Sequence, residues 1–564
     1  MGDGKLDLIL MWHMHQPDYR DHARGEFALP WVYLHAVKDY VDMVAHLERH
    51  PRVRAAVNFV PALLDQIEDY AQQFRTGEWR DPLLRLLACR DMAGLDAASR
   101  KLILASCFRS NHLRMVAPFP HYKRLHDLYT VLEEQGEAAL GYLSGAYLSD
   151  LITWYHLAWT GETERRRQPL LAQLMAKGEG FTDGDRQRLL ALLGELIEGI
   201  APRYAALARA GRIELSTTPA THPLAPLLID FAVAREAQPD AALPHSPCYS
   251  GGRARVAAQV VQALAGHAAR FGMPAAGVWP AEGALSSTLL HVLGEHPVAW
   301  TASSESVLAN SLRREGGAQG AREHFLYRPY RVAAAPGVAV FFRDERLSDL
   351  IAFEYSKWHG RDAAHHFIAQ LEAIRAGAPP GETPLVTVIV DGENAWEYYP
   401  YNAYYFFEDL YGALESHPVI RTTTPAVYLS ENPERAGELG SLVAGSWVYG
   451  TFSTWIGDAD KNRAWDLLCA AKQSYDLVVP SGRLSERERA SAEAQLAVCE
   501  SSDWFWWFGN YNPPHTVATF DRLYRLNLTN LYAVLELAPP AQLLEPVSRG
   551  GGSPEAGGTM RRAH

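Results

Sequence analysis

Two acidic residues in this sequence each follow a short apolar run, which is where catalytic carboxylates stand in many α/β enzymes. Glu282 follows the run at 276–279, and Asp391 follows the run at 385–390. Two carboxyl groups on different strand ends can cleave a glycosidic bond. One protonates the leaving oxygen, and the other attacks the anomeric carbon or activates a water molecule.

The segment around Asp391 has the strongest pattern. The run LVTVIV at 385–390 is continuous, apolar and rich in β-branched residues, which predicts a strand buried on both faces of a parallel sheet. The run ends in the sequence DGEN at 391–394, and Trp396 follows closely. A carboxyl group in such a partly apolar setting has a raised pKa, which suits a general acid.

Glu282 admits two interpretations. Its neighbours Ala281 and Gly283 are small, so a ligand could approach the carboxylate closely. A helix is also predicted from Ser286, and an acid just before a helix is stabilised by the helix dipole. The residue types alone do not separate a reacting carboxylate from one that serves the helix.

Three histidines also follow predicted strands. His13 and His15 are two positions apart and therefore lie on one face of an extended chain. They could bind a metal, donate hydrogen bonds to sugar hydroxyls, or serve only the structure. His222 stands between Pro219 and Pro223, as an ordinary loop residue would, but its place after the run at 212–216 favours the same site.

Aromatic residues make up 11% of the chain, including 15 Trp and 26 Tyr. Most of them must pack in a large core, but some can stack on the apolar faces of sugar rings. The candidates for sugar contacts outside the strand ends are Trp396, Trp455, Asp458 and Trp504.

The elements that position these residues alternate between strands and helices, which predicts an α/β fold and, with this many strands, a barrel. The predicted strands are 6–11, 53–60, 212–216, 276–279, 297–301, 338–342 and 385–390. Residues 63–210 are predicted to be a helical insertion. The segment 416–545 is predicted to be a C-terminal helical domain, after a catalytic domain at 1–415. The Gly-rich end at 546–564 is predicted to be disordered.

The composition of the chain limits the classes of partner and metal site that are expected. The chain has 53 Lys+Arg against 65 Asp+Glu, a net charge of −12, which argues against binding to nucleic acid. The five cysteines are scattered without C-x-x-C spacing, so neither a disulfide framework nor a zinc site is expected. No signal peptide and no stretch of about 18 apolar residues is seen, which predicts a cytoplasmic protein without a membrane partner.

Five segments of the sequence resemble, in order, the conserved regions of glycoside hydrolase family 57. They are WHMHQP at 12–17, STTPATHPLAPLL at 216–228, GVWPAEG at 277–283, VIVDGENAW at 388–396 and FSTWIGDADKNRAW at 452–465. The resemblance covers about residues 10 to 510. It is closest to the α-amylase and amylopullulanase branch. One departure is GNYN at 509–512, where relatives often carry a Gly-Asp-Asp-His-like run.

The resemblance implies an incomplete (β/α)7 barrel with a helical C-terminal domain, and retaining cleavage of α-glucans such as starch, glycogen and maltooligosaccharides without a metal or other cofactor. It assigns Glu282 as the nucleophile and Asp391 as the general acid/base. It also implies that His13, His15, His222 and Trp279 line the subsite around the cleaved bond.

Two alternatives remain open from the sequence. A 4-α-glucanotransferase or glucan branching enzyme would use the same two carboxylates but pass the sugar to another glucan. A metal-dependent polysaccharide deacetylase would also use strand-end histidines, but it usually needs an Asp-Asp pair on an early strand. Here the first strand ends in His-Met-His-Gln. Linkage preference, chain length and oligomeric state have no signature in the sequence.

Overall fold

The computed structural model describes residues 5–316 and 322–552 of the chain. The strands are β1 (Leu6–Met14), β2 (Arg20–Asp21), β3 (Glu26–Phe27), β4 (Ala55–Phe59), β5 (Ile213–Thr217), β6 (Gly277–Val278), β7 (Trp300–Ser304), β8 (Tyr330–Val332), β9 (Ala339–Arg343), β10 (Leu385–Asp391), β11 (Ile420–Thr423) and β12 (Gly437–Leu439). Ten of them form one sheet, while β2 and β3 form a small separate ribbon.

The strand order in the sheet is β10-β1-β4-β5-β6-β7-β9-β8-β12, and β11 pairs with the beginning of β1. All neighbours run parallel except β8 and β9, which are antiparallel. The seven predicted strands are all present within a few residues. The short strands β8, β11 and β12 were not predicted, because segments such as IRTT lack a continuous apolar run.

Helices fill the connections between the parallel strands, as such connections require. Those before β5 are α1 (Trp31–His35), α2 (Val41–Arg49), α3 (Pro61–Thr76), α4 (Pro82–Leu87), α5 (Ala97–Ser106), α6 (Pro120–Glu133), α7 (Glu137–Leu140), α8 (Gly145–Ala158), α9 (Glu162–Arg167), α10 (Pro169–Lys177) and α11 (Asp183–Arg209). Residues 60–212 are all described and contain no strand, in agreement with the helical character predicted for 63–210.

The remaining helices follow β5. They are α12 (Ala225–Ile229), α13 (Ala234–Ala237), α14 (Gly252–Phe271), α15 (Ser287–Gly294), α16 (Glu305–Arg314), α17 (Glu345–Asp349), α18 (Gly360–Gly377), α19 (Tyr404–Ser416), α20 (Pro425–Glu431), α21 (Ala459–Val478), α22 (Glu486–Cys499), α23 (Asp503–Trp507) and α24 (Pro514–Val534). Within the described residues no helix has the length and apolarity that crossing a bilayer demands.

The two faces of the sheet carry different apolar clusters. Along β1, Leu8 and Leu10 pack with the helices in the main core, whereas Ile9 and Met11 join a smaller cluster on the other face. This alternation follows from the two-residue period of a strand. Side chains from β1, β4, β7, β9 and β10 all meet in the smaller cluster, so the sheet curves around it.

The curvature brings β9 back toward β10, at the other end of the strand order. The backbone N–H of Asp344 donates to the carbonyl of Thr387 at 2.8 Å, and Arg343 Nε donates to the carbonyl of Ile389 at 2.8 Å. The parallel strands therefore surround a common interior. Their carboxyl ends open on the same side of the molecule.

The last part of the chain packs against that open side. Ser501 bridges to Pro223, and the backbone N–H of Ser502 donates to the carbonyl of His222 at 2.9 Å. The end predicted to be disordered is partly packed, since Val547 and Ser548 are buried and the N–H of Val547 donates to Asp521. The rest of that predicted tail, from residue 553, lies outside the described residues.

Candidate active site

The polar residues at the strand ends continue the inward-facing rows of the sheet. On β1, His13 lies two positions beyond Met11, and on β10, Asp391 lies two positions beyond Ile389. Because side chains alternate along a strand, each polar residue shares the inner face with the apolar residue before it. His13 and Asp391 are also direct neighbours in the β1–β10 register. Inside the curved sheet, the side chains are thus apolar along the strands and polar at the carboxyl ends of the strands.

A cleft of about 320 Å³ opens at this edge, and we call it the central cleft. Five of the residues predicted for the site line it, namely His13, His15, His222, Glu282 and Asp391. The opposite wall comes from the last third of the chain, through Trp447, Val448, Tyr449, Asp503, Trp506, Trp507 and Phe520. The site is therefore completed by segments that are distant in sequence from the strands.

Glu282 has a left-handed backbone, with φ of 60° and ψ of 21°. Such a conformation costs a residue other than glycine about 1 to 3 kcal/mol and is found most often at functional sites. Two hydrogen bonds hold the carboxyl group, from Ser502 Oγ to Oε1 at 3.1 Å and from Trp447 Nε1 to Oε2 at 3.1 Å. Only 9% of the residue is exposed. This carboxyl group is fixed in direction and largely removed from water.

Burial, together with the nearby charges of Asp503 and Asp391, raises the pKa of Glu282 to about 8. Burial likewise raises the pKa of Asp391 to about 6, against the opposing effects of Asn394, His15 and Arg343. Asn394 Nδ2 donates to Asp391 Oδ2 at 3.4 Å. Between these two values the pair of carboxyl groups holds one proton, so the site offers one acid and one base near neutral pH.

Glu393 is a third carboxyl group beside this pair. It is 1% exposed, one of its oxygens has no partner, and burial together with Asp391 and Asp39 raises its pKa well above the ordinary value. The backbone N–H of His15 donates to its other oxygen at 3.4 Å. Glu393 therefore adds to the lining of the central cleft a third carboxyl group whose ionised form is disfavoured by burial.

Two of the histidines form a hydrogen-bonded pair inside the site. His13 Nδ1 lies 2.7 Å from Asn58 Oδ1, and its Nε2 lies 3.2 Å from Nε2 of His222. His222 Nδ1 lies 3.0 Å from Ser502 Oγ. Burial, with a smaller contribution from His15, lowers the pKa of His13 to about 3 and that of His222 well below its ordinary value. Both rings are neutral, and all four of their nitrogens already have partners.

His15 differs from the other two histidines because one of its nitrogens is free. Its Nε2 lies 2.9 Å from Asp503 Oδ1, whereas its buried Nδ1 has no hydrogen-bond partner. The ring stacks on His222, with the ring centroids 3.6 Å apart. Of the three histidines, His15 is the one with a nitrogen available to a ligand hydroxyl.

A metal ion is the other ligand that such a cluster could suggest. Among the described residues, one set of three side chains brings metal-binding atoms together, within 4.8 Å of one another: His15, His222 and Asp503. His222 uses one nitrogen for His13 and the other for Ser502, so it has no lone pair to offer without breaking a hydrogen bond. The donor set therefore fits a hydrogen-bond network better than a metal site.

Trp279, Trp396, Trp455 and Trp504 were predicted to contact the sugar, but each is at most 1% exposed and none lines the central cleft. Trp279 lies behind the cleft wall, with its ring 5.3 Å from that of Trp447. Trp396 donates to the carbonyl of Gly392 and packs against Phe407. We therefore correct these assignments: the four rings pack inside the protein and position the residues that line the cleft.

Trp504 and Trp455 also contact the interior of the protein and not the cleft. Trp504 donates to the carbonyl of Val498 at 2.9 Å and packs toward Tyr524 of α24. Trp455 is fully buried, 5.6 Å from the ring of Trp506, which does reach the cleft. In both cases the predicted ring supports a neighbouring segment from within.

Asp458 was also predicted to bind substrate, but it does not line the central cleft. It is the N-cap of α21, where its carboxylate accepts hydrogen bonds from the backbone N–H groups of Asp460 and Lys461. This is the ordinary role of an aspartate before a helix, and we reassign Asp458 to it.

Several residues that line the cleft or bond to its lining were not predicted from the sequence. Arg343 ends β9 on the same face as Phe341, so the strand-end rule that found Asp391 would also have found it. Ser502 and Asp503 precede the aromatic run at 504–507 and follow no predicted strand, so the strand-end rule does not select them. The contacts of Trp447 with Glu282 and of Asn58 with His13 could not be predicted, because only the folded chain brings these residues together.

A second lobe of about 260 Å³ continues the central cleft. The two lobes share five lining residues, which are Gln16, Tyr19, Trp506, Trp507 and Phe520. Trp31 and Trp159 also line the second lobe, as does Glu397, whose pKa burial raises to about 7. An elongated ligand with apolar faces and hydroxyl groups fits this combination.

A family model described as glycosyl hydrolase family 57 matches residues 9–438. No curated protein sequence matches the chain. A GH57-type branching enzyme from the archaeon Pyrococcus horikoshii is similar in structure, with a TM-score of 0.55, 16% identity, and 98% of this chain and 97% of that chain covered. An alpha-amylase, AmyC from Thermotoga maritima, has a TM-score of 0.55 and 13% identity, with 94% and 93% covered. Identities this low show a shared fold.

Proposed function

The chain belongs to glycosyl hydrolase family 57, and on that premise we propose that it cleaves α-glucosidic bonds of α-glucans through a covalent glycosyl-enzyme intermediate. In this proposal Glu282 attacks the anomeric carbon while Asp391 protonates the leaving oxygen. Asp391 then activates the water that releases the sugar.

The observation that carries the proposal is the coupling of Glu282 and Asp391 in one cleft. Both carboxyl groups line the central cleft, and the charge of Asp391 raises the pKa of Glu282. Glu282 is held by two donors that leave its direction fixed, as a nucleophile requires. The second lobe, with its tryptophans, supports a substrate that extends over several sugar units.

We also propose that the sheet and its helices form an incomplete barrel. The curved parallel sheet, with β9 returning to β10, supports an incomplete (β/α)7 barrel. The catalytic part was predicted to be residues 1–415, but β11 and β12 pair with β1 and β8 of the same sheet. We therefore propose that the catalytic part extends to Leu439 and that the chain beyond it, to residue 545, forms a helical part that supplies Ser502 and Asp503 to the site.

Transfer of the sugar to another glucan is the second candidate. The 4-α-glucanotransferase and branching reactions pass through the same intermediate, and the outcome depends on whether water or a sugar hydroxyl reaches it. The aromatic lining shared by the two lobes, Trp506, Trp507 and Phe520, favours an acceptor sugar beside the nucleophile. The deacetylase alternative has no support from the family match.

Purified protein incubated with amylose, pullulan and maltoheptaose tests both candidates. Products shorter than the substrate, released first as the α-anomer, support retaining hydrolysis. Products longer than maltoheptaose support transfer. Glu282→Ala should lower turnover by several orders of magnitude, whereas Glu295→Ala, which removes an exposed acid on the same segment, should not. A Glu282→Ala variant with near-normal turnover would overturn the assignment of the nucleophile.

A further inference from the structure

A row of five side chains connects Glu282 with the interior of the sheet. Glu282 Oε1 lies 3.1 Å from Ser502 Oγ, which lies 3.0 Å from His222 Nδ1. His222 Nε2 lies 3.2 Å from His13 Nε2, and His13 Nδ1 lies 2.7 Å from Asn58 Oδ1. Each contact is within hydrogen-bond distance, so the position of one hydrogen restricts all the others.

Asn58 determines the direction of the row at its inner end. Its Oδ1 accepts from Thr218 Oγ1 at 3.0 Å, and its Nδ2 donates to Ser216 Oγ at 3.1 Å. The oxygen that faces His13 therefore needs a hydrogen from His13 Nδ1. A neutral imidazole carries only one hydrogen, so the Nε2 atom of His13 is an acceptor.

The same reasoning continues outward to Glu282. His222 must place its hydrogen on Nε2 to serve His13, which leaves Nδ1 as an acceptor for the hydroxyl of Ser502. Ser502 has a single hydrogen, which it donates to Glu282 when that group is a carboxylate. When Glu282 is protonated, the hydroxyl can instead donate to His222 Nδ1 and accept from Glu282. Trp447 Nε1 is a donor that cannot take a proton. Among the protein groups bonded to the Glu282 carboxyl group, Ser502 is thus the one that can accept its proton.

We propose that Ser502 is a positioning residue whose hydroxyl passes the proton of Glu282 to His222 and returns it. The inference rests on the proposed function, because it prepares Glu282 for attack. The O–H bond of Glu282 breaks as Ser502 Oγ gains that proton, and the original O–H bond of Ser502 breaks as His222 Nδ1 gains the other. The products are a Glu282 carboxylate that accepts from Ser502 and a protonated His222.

Charged and titratable groups near Glu282 and His222 affect the free energy of this proton transfer. Asp391 and Asp503 face Glu282 and oppose its ionisation, while Ser502 and Trp447 favour it by donating to the carboxylate. His13 and His15 face His222 and oppose its protonation. The new cation on His222 would lie 4.0 Å from Glu282 Oε1, and this attraction opposes both costs. The transferred state therefore needs Ser502 to keep the two ends connected.

Ser502→Ala and Ser502→Thr test the proposal, because alanine removes the hydroxyl and threonine keeps it. The matched control is Ser311→Ala, which removes a buried serine hydroxyl bonded to the carbonyl of Val307, outside the cleft. An infrared pH titration follows the carboxyl band of Glu282, which Glu282→Gln identifies by its loss. This readout needs neither substrate nor turnover.

We expect Ser502→Ala to raise the pH at which Glu282 ionises by about one unit, because the carboxylate loses a donor. We also expect kcat to fall about 10- to 100-fold, the effect of losing a hydrogen bond to a charged group, with KM unchanged. Ser502→Thr should restore both values, and Ser311→Ala should change neither.

A double-variant cycle distinguishes relay through His222 from a direct effect on Glu282. If Ser502 acts through His222, the losses from Ser502→Ala and His222→Asn should be far from additive. An unchanged titration of Glu282 in Ser502→Ala, or additive losses in the cycle, would overturn the proposal. If the protein cleaves no α-glucan, the proposed function fails, but the cycle can still be measured on the pH at which Glu282 ionises. Additive shifts from Ser502→Ala and His222→Asn in the infrared titration would then overturn the role of Ser502.

Discussion

The Nε2 atom of His15 lies 2.9 Å from Oδ1 of Asp503, across a sequence separation of 488 residues. The first strand of the sheet and the segment before the last long helix thus meet at the cleft. A carboxylate that accepts from Nε2 places the hydrogen of a neutral His15 there, which leaves Nδ1 as an acceptor. Asp503 in this way decides what His15 can offer to a sugar hydroxyl.

Asp503→Ala should lower kcat/KM about 10- to 100-fold, because His15 loses the charged partner that orients its ring. Asp503→Asn should lose less, since the amide oxygen can still accept from Nε2. Asp458→Ala is the matched control: it removes a helix cap outside the cleft, costs about 1 kcal/mol of stability and leaves kcat/KM unchanged. Equal kcat/KM in Asp503→Ala and the wild type would contradict this role of Asp503.

The pH dependence of kcat/KM should be bell-shaped, with limbs near the pKa values of about 6 and about 8 that Asp391 and Glu282 have in the empty site. Below the lower limb both carboxyl groups are protonated and no nucleophile exists, and above the upper limb no acid remains. Between the limbs the pair holds one proton, which favours Glu282 in the empty site, so the productive form is the one in which Glu282 has lost its proton and Asp391 holds one. Asp503→Asn should move the upper limb to lower pH, because the charge of Asp503 raises the pKa of Glu282. A profile with one limb only would contradict the pairing.

Glu282→Gln should stabilise the folded protein at pH 8 by on the order of 3 to 5 kcal/mol. The unfolded carboxyl group ionises near its ordinary pKa of 4.5, whereas burial keeps the folded group protonated up to about 8. The wild type therefore loses stability as the pH rises through this window, and glutamine does not titrate. Thermal unfolding at pH 4 and pH 8 measures the effect, and the two proteins should agree at pH 4. Equal midpoints at both values would contradict burial as the cause.

The sequence predicts the part of the site that the strands carry. The run LVTVIV ends at Asp391, and the two-residue period of β10 places that side chain on the inner face above Ile389. His13 follows the same rule on β1. The positions of Asp391 and His13 can be predicted because they depend only on local sequence patterns. The same is true of the order of the seven parallel strands along the chain.

Ser502, Asp503 and Trp447 could not be predicted as site residues, because their contacts with Glu282 and His15 arise from packing between distant segments. The four buried tryptophans show the opposite error, because they were predicted to contact the sugar and instead pack inside the protein. A tryptophan near a catalytic motif suits both a sugar platform and a packed core, and its sequence neighbours are the same in either case. Burial, which decides between the two, is a property of the folded chain.

Trp504 and Trp506 offer a direct test of that distinction, since they are two positions apart on α23. Trp504 is fully buried and donates to the carbonyl of Val498, whereas Trp506 is half-buried and lines both lobes of the cleft. Replacing each with leucine gives a matched pair. Trp504→Leu should destabilise the fold by about 2 to 4 kcal/mol, because it leaves a cavity and removes the hydrogen bond from Trp504 to Val498.

Trp506→Leu should leave the unfolding midpoint nearly unchanged but raise KM for maltoheptaose about three- to tenfold, the effect of losing one ring contact of about 1 kcal/mol. Steady-state kinetics and thermal unfolding of both variants measure the two effects separately. For Trp504→Leu, KM should stay at the wild-type value at temperatures where the variant is folded. The assignment of Trp504 to packing would be wrong if that variant kept its stability and raised KM as much as Trp506→Leu does.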